Sequence, residues 1–189
     1  MSVAVAHDQV PDGPLSIDDL DRLPEIGLRY ELIEGTLLMS TAPSRLHQLM
    51  TTRLCEVLTD ACPPELITLA GPVDVQVGPN TLLQPDALVV RSVDVLVPRD
   101  QAPPPLVVIE VASPSTRQVD EGSKRLAYRS AGVGAYWLAD PHVPSVTAIR
   151  WEGDEETEVH VTGDTPLHVA WPAALELRPS DLVHLPHLP

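Results

Sequence analysis

Glu110 stands inside LVVIEVA (106–112), a continuous apolar run. A carboxylate in a buried strand is costly unless it is paired, protonated or metal-bound. The alternative puts Glu110 at the end of the strand, facing water or an arginine. Asp86 opens a second strand-like run, PDALVV (85–90), directly after Pro85. Alone, an Asp there is commonly a turn residue. If the two strands are neighbours, both acids converge on one point. Two carboxylates, a backbone carbonyl and waters make a hard oxygen site suited to Mg²⁺. Lys124 is the third element. It is the only lysine; the other eleven bases are arginines. Its compact ammonium shifts pKa on burial, whereas arginine stays charged. It falls on the helix after the Glu110 strand, and a right-handed return lays that helix back toward the strand. Taken singly, it also reads as a solvated lysine beside Arg125.

The elements that must position these residues follow from periodicity and turn chemistry. Ser16-Ile17-Asp18-Asp19 has the form of a capping box and predicts a short helix to about Leu23, closed by Pro24. RYELI and TLLMS around Glu34-Gly35 predict a β-hairpin. Pro43-Ser44 opens a helix through about Ala61, with Leu46, Leu49, Met50, Leu54, Val57 and Leu58 at helical spacing. LITLAG and VDVQV read as strands, with Gly78-Pro79-Asn80 as a turn, and 98–105 as a loop. LVVIEVA has the composition of a strand buried on both faces. SPST is a turn, 118–131 a helix, and Gly132 its stop. AYWLAD and VTAIRW are further strands, and the acidic, Pro-rich remainder adds peripheral ones. The order suggests an α/β or α+β protein around one mixed sheet.

The chain has 189 residues, which suggests a single domain. We expect a loose tail over 1–14 and one domain over 15–189. Its core spans about 29–151, and 152–189 forms an acidic peripheral region. No window approaches a membrane span, and the start lacks the basic flank and long apolar run of a signal peptide. A cytoplasmic protein is expected. The net charge is −15, but it is uneven: residues 85–150 are neutral, while 151–189 carry −7. The total argues against a nucleic-acid binder, because phosphate contacts need Lys and Arg. The neutral middle could still face a polyanion, and acidic ends aid solubility. Cys55 and Cys62 have no histidine at zinc-finger spacing and read as reduced structural thiols.

Several pieces together carry a resemblance: RYELIEGTLLM (29–39), the helix start from Ser44 to His47, Pro85-Asp86, LVVIEVASPST (106–116), Asp120, Lys124, Tyr128 and AGVGAYWLADP (131–141). In this order and spacing the chain resembles the Uma family of bacterial restriction-endonuclease-like proteins, within the PD-(D/E)XK nuclease superfamily. The resemblance runs from about Ser16 to Trp151. It implies a restriction-endonuclease-like α/β core, a central mixed β-sheet flanked by helices. Asp86 takes the place of the Asp of "PD", and Glu110 that of the acid of "(D/E)XK". The superfamily lysine would fall at Ala112; here it has moved to Lys124, as in the family. Glu31 matches a further family acid, and His47 a family histidine that is equally suited to capping or to the surface.

The implied activity is metal-dependent hydrolysis of DNA phosphodiester bonds. Asp86, Glu110, the Val111 carbonyl and Glu31 would hold Mg²⁺, or Mn²⁺ in its place. Lys124 would orient water and stabilise the transition state, with His47 as an accessory group. Arg117, Arg125 and Arg129 are candidate phosphate contacts, or simply exposed helix charges. A homodimer is natural for cutting both strands, with AYWLA as an apolar edge or the acidic C-terminal region as the interface. The rival reading is an inactive nuclease-like module that binds nucleic acid or protein.

Overall fold

A computed structural model describes residues 13–24 and 27–185. Most of the expected tail (1–12) lies outside the described residues. Helix α1 (Ile17–Leu20) carries the expected capping box: Ser16 accepts from the Asp19 N–H, and Asp19 accepts from the Ser16 N–H. It is one turn shorter than expected. Strands β1 (Arg29–Ile33) and β2 (Thr36–Ser40) form the expected hairpin. Its turn has Glu34 at φ 49° and Gly35 at φ 81°, the left-handed pair that suits a two-residue hairpin turn. A side chain at Gly35 would also strike Pro14, whose Cβ lies 2.8 Å from the position a Cβ would take.

Helix α2 (Arg45–Ala61) starts at Ser44, whose hydroxyl caps the His47 N–H. Then follow β3 (Leu66–Ala70), β4 (Val75–Gly78), β5 (Thr81–Leu83), β6 (Ala87–Arg91) and β7 (Val107–Val111). The short β5 was not expected. It pairs with both β4 and β1 and completes a four-stranded antiparallel sheet of order β2-β1-β5-β4. The predicted helix at 118–131 is a composite of α3 (Arg117–Val119), one π turn (Asp120–Lys124) and α4 (Arg125–Ser130). Strands β8 (Ala135–Asp140), β9 (Ser145–Glu152), β10 (Glu155–Thr162), β11 (Leu167–Val169) and β12 (Leu175–Leu177) complete the chain.

The central sheet is mixed, with order β10-β9-β8-β7-β6-β3. Its one parallel pair, β7 with β8, is joined through the composite helix; its other pairs are antiparallel. One face packs on α2, where Met50, Leu54 and Leu58 meet Val107, Ile109, Val111 and Trp137. Leu167, Leu177 and Leu182 from the C-terminal region join this core. The other face carries Leu88, Val108, Tyr136 and Ile149 against Tyr128, Val75 and Leu83. β7 is thus buried on both sides, which is why its sequence does not alternate. The segment AYWLA is β8, held between β7 and β9. It has no free edge and cannot serve as an edge interface. No helix among the described residues is long and apolar enough to cross a membrane.

Leu54 is fully buried between α2 and the sheet. Leu54→Ala is expected to lower stability by about 2–5 kcal/mol, read from urea unfolding.

Candidate active site

Asp86 precedes β6 and Glu110 lies near the end of its neighbour β7. The register pairs Ala87 with Ile109, and the Asp86 N–H donates to the Ile109 carbonyl at 3.1 Å. The two acids therefore sit side by side at one end of adjacent strands. Alternation along β7 puts Glu110 on the face of Val108, away from α2 and toward the composite helix and the four-stranded sheet. Glu110 is only 3% exposed, so it is not a solvent-facing strand end.

Lys124 closes the site from the π turn. Its Nζ lies 2.9 Å from Glu31 Oε1, 3.0 Å from Glu110 Oε1 and 3.6 Å from Asp120 Oδ1. One ammonium thus joins β1, β7 and the helix. The Tyr128 hydroxyl donates to Glu110 Oε1 at 3.1 Å, and the Gln84 N–H donates to Glu31 Oε1 at 2.8 Å. Asp120, Lys124 and Tyr128 recur every fourth residue and share one helix face. Ala112 lies two residues beyond Glu110, hence on the same side of the backbone. A lysine there would approach Glu110 from its own strand; Lys124 approaches it from the crossing helix.

Asp86 is held by a separate set. Its Oδ1 accepts from Arg29 Nη1 at 3.0 Å, and its Oδ2 accepts from the Val111 N–H at 2.8 Å and faces His47 Nε2 at 3.1 Å. Arg29 also donates to the Gln84 carbonyl. Glu31 and Arg29 alternate on β1 and line one cleft of about 160 Å³ with Asp86, Glu110, Val111, Asp120, Lys124 and His47. The structure brings together Glu31, His47, Asp86, Glu110, Val111 and Lys124. It does not bring Arg125 and Arg129 to this cleft: they pair with Glu156 and Glu158 on β10. Arg117 pairs with Glu121 and Asp140. Sequence reasoning gave no site role to Arg29 or Asp120. The four-residue spacing from Asp120 to Lys124 signalled the second. Nothing local signalled that Arg29 faces Asp86.

Four buried carboxylates (Glu31, Asp86, Glu110, Asp120) face two permanent cations, Arg29 and Lys124. With all four acids ionised, they outnumber the permanent cations by two. The strain of that excess shows in the titration. Burial pushes the Glu110 carboxyl well above its ordinary value, against the pull of Lys124, and Asp86, Asp120 and Glu31 push the same way. Burial also raises Asp120. Burial works against Asp86 as well, but His47, the Val111 N–H and Arg29 outweigh it and hold Asp86 below its ordinary value. Burial would lower the Lys124 ammonium, yet Glu110, Glu31 and Asp120 hold it above its usual range, so it stays charged.

Carboxylate oxygens are the hard donors that divalent cations take, and acids that outnumber the permanent cations leave negative charge for such an ion to offset. Asp120 Oδ1 is buried and accepts no hydrogen bond. Charge and donor type therefore fit a divalent cation. The arrangement is not a finished cage: among the described residues no three or more His, Cys, Asp or Glu side chains are grouped to hold a metal. Both Asp86 oxygens are already engaged by protein donors.

A mixed sheet with acids at the ends of two adjacent strands, and a lysine reaching them from the next helix, defines a nuclease-like protein of the restriction-endonuclease type. The Uma2 family, described as "Putative restriction endonuclease", matches residues 17–179. The chain belongs to this family. Among solved structures it is similar to a nuclease-like protein of Anabaena variabilis ATCC 29413, titled "a putative nuclease belonging to DUF820". The identity is 21% and the TM-score 0.73, over 90% of this chain and 98% of the other. That likeness shows the fold. The search of curated proteins gives no match.

The titration has a sign that can be measured. Stability tied to the protonated Glu110 carboxyl is fully present below its unfolded value of 4.5 and is lost as pH rises through its raised folded value. Glu110→Gln removes this dependence. Urea midpoints of wild type and variant, compared from acid to alkaline pH, are expected to diverge in favour of the variant as pH rises.

Proposed function

We propose that this protein is a divalent-cation-dependent endonuclease that hydrolyses phosphodiester bonds of DNA. The observation that carries the reading is the buried cluster of Glu31, Asp86, Glu110 and Asp120 around the single ammonium of Lys124, at the base of an open cleft. Buried charge of one sign in excess is expensive to keep. Its presence in a cleft points to a ligand of opposite charge.

Asp86, Glu110 and the Val111 carbonyl would hold the cation, Mg²⁺ or Mn²⁺, with Glu31 adding a carboxylate directly or through water. A bound divalent cation lowers the pKa of water and offsets charge growing on the phosphate. Lys124 contributes a fixed positive charge. Held protonated by three carboxylates, it does not act as a base; it orients the attacking water and stabilises the charge of the transition state. The water oxygen bonds to phosphorus as the bond to the leaving sugar oxygen breaks; the water gives up a proton to solvent, and the leaving oxygen takes one from solvent. Arg29 and His47 keep Asp86 ionised and fixed in place. A homodimer would bring two clefts to one duplex. The setting is cytoplasmic, consistent with free Cys55 and Cys62, whose thiols burial holds above their usual range.

The test is cleavage of plasmid DNA by purified protein with Mg²⁺ or Mn²⁺. Wild type is expected to cut and to lose activity in excess chelator. Asp86→Asn and Lys124→Met are expected to lose at least about 10²-fold in rate. Variants that cut as fast as wild type, with contaminants excluded, would reject the assignment. A well-folded wild type that never cuts but retains DNA or protein binding would favour the inactive-module reading.

A further inference from the structure

We propose that β10 is a docking edge for a second copy of this chain. The two copies join their central sheets by antiparallel pairing of β10 with β10, about a two-fold axis at Val159. The inference concerns assembly and goes beyond the nuclease reading; neither stands on the other.

β10 (Glu155–Thr162) is the terminal strand of the central sheet, and among the described residues no strand pairs with its outer side. At eight residues it is longer than the other edge strands β2, β3 and β4. Exposed edges are ordinarily blunted by shortness, a bulge, proline or lysine. β10 has none of these: its register with β9 runs unbroken from Glu155 to Thr162, and it contains neither proline nor lysine. Seven of its eight residues are exposed, among them Val159 at 44%. Its acids are already partly neutralised, because Arg125 and Arg129 of α4 pair with Glu156 and Glu158. Such an edge offers its main chain to another strand.

Backbone direction limits the register. The Trp151 N–H donates to the Gly134 carbonyl, toward β8. Alternation therefore turns Arg150 and Ala148 toward β10, and their partners Thr157 and Val159 back toward β9. The Gly163 N–H, which donates to the Pro144 carbonyl, continues that alternation. The main-chain groups of Glu156, Glu158 and His160 point outward. Across a two-fold axis, outward residues must meet outward residues. Centred on Thr157, Glu156 meets the partner's Glu158. Centred on Glu158, that acid meets its own copy. Centred on His160 or Val161, Glu158 meets the partner's Thr162 or the partner's Asp164. Centred on Val159, Glu158 meets the partner's His160, Glu156 meets the partner's Thr162, and the two Val159 side chains meet each other. The symmetry makes the Glu–His match twice. The Thr147 hydroxyl lies 2.8 Å from His160 Nδ1. With that hydroxyl donating, Nε2 carries the ring hydrogen and donates to the partner's Glu158 carboxylate. Complementarity thus selects a second copy in one register. Pairing along a single edge buries little surface, so the dimer is reversible.

The experiment uses the full chain and two readouts. Sedimentation across the micromolar range is expected to show a concentration-dependent dimer. His160→Glu sets two acids against each other twice and is expected to raise the dissociation constant about tenfold. Glu158→Lys added to His160→Glu restores opposite charges and is expected to recover the dimer. Cysteine trapping then reads the register, in a background of Cys55→Ser and Cys62→Ser. In the proposed pairing the two Val159 Cα atoms stand about 4.5 Å apart, within disulfide reach. The two Thr157 Cα atoms stand about 14 Å apart. Val159→Cys is therefore expected to give a covalent dimer on mild oxidation, and Thr157→Cys, exposed on the same face of the strand, is not. Circular dichroism confirms that each variant is folded. A wild type that stays monomeric overturns the proposal. So does a dimer that ignores the charge changes, or one in which both cysteines are trapped alike. No step involves DNA or metal, so the nuclease reading stands or falls separately.

Discussion

The Lys124 ammonium is shared by carboxylates from three separate elements, Glu31 on β1, Glu110 on β7 and Asp120 in the π turn. Each of these groups is nearly inaccessible to water. An unpaired charge at such a depth is costly, and pairing offsets the cost only when geometry is good and the remaining polar atoms find partners. Tyr128 and the Gln84 N–H provide two of those partners. The four-stranded sheet, the central sheet and the crossover helix are thereby locked to one another through a single nitrogen. An arginine could not replace it simply, because its broad fork needs more room than the compact ammonium.

The helix that carries Lys124 is shaped for this contact. A regular α-helix would continue from Arg117 to Ser130; instead a π turn occupies Asp120–Lys124. Such insertions are frequent at functional sites. The Tyr136 hydroxyl donates to the Asp120 carbonyl at 2.9 Å, so a strand side chain supports the turn directly. Asp120, Lys124 and Tyr128 then all reach the Glu110 side of β7. Two residues beyond Glu110, on the same side of its strand, stands buried Ala112. The positive charge that meets Glu110 comes instead from the crossing helix.

The protein's acidity also takes a definite form. Most arginines are neutralised at once by nearby acids, including those of β10, an outer strand of the central sheet. The surface thus offers few free cations for long tracts of phosphate. Within the cleft, Arg29 and Lys124 are outnumbered by Glu31, Asp86, Glu110 and Asp120. The acidity behind the net charge of −15 therefore extends into the site, while the remaining surface is acidic and solubilising.

Local pattern determined much of this. The hairpin was legible because Glu34-Gly35 meets a turn's need for positive φ, and α2 because its apolar residues recur at helical spacing after a Ser44 cap. β7 was legible as a doubly buried strand because it is apolar without alternation. Asp86, Glu110 and Lys124 stood out because each is chemically exceptional where it occurs, and their order and spacing carried the family resemblance. Tertiary structure alone decided which residues meet. The short β5 needs β1 and β4 as partners, so its three residues have no signature of their own. That β8 is interior depends on strand order. Arg29 reaches Asp86, and Glu31 reaches Lys124, only because the first hairpin packs against the end of the central sheet. Periodicity and turn chemistry are encoded over a few residues. Sheet order and the direction each side chain faces arise from burying two sheets and their helices together, and no short stretch of sequence contains that information.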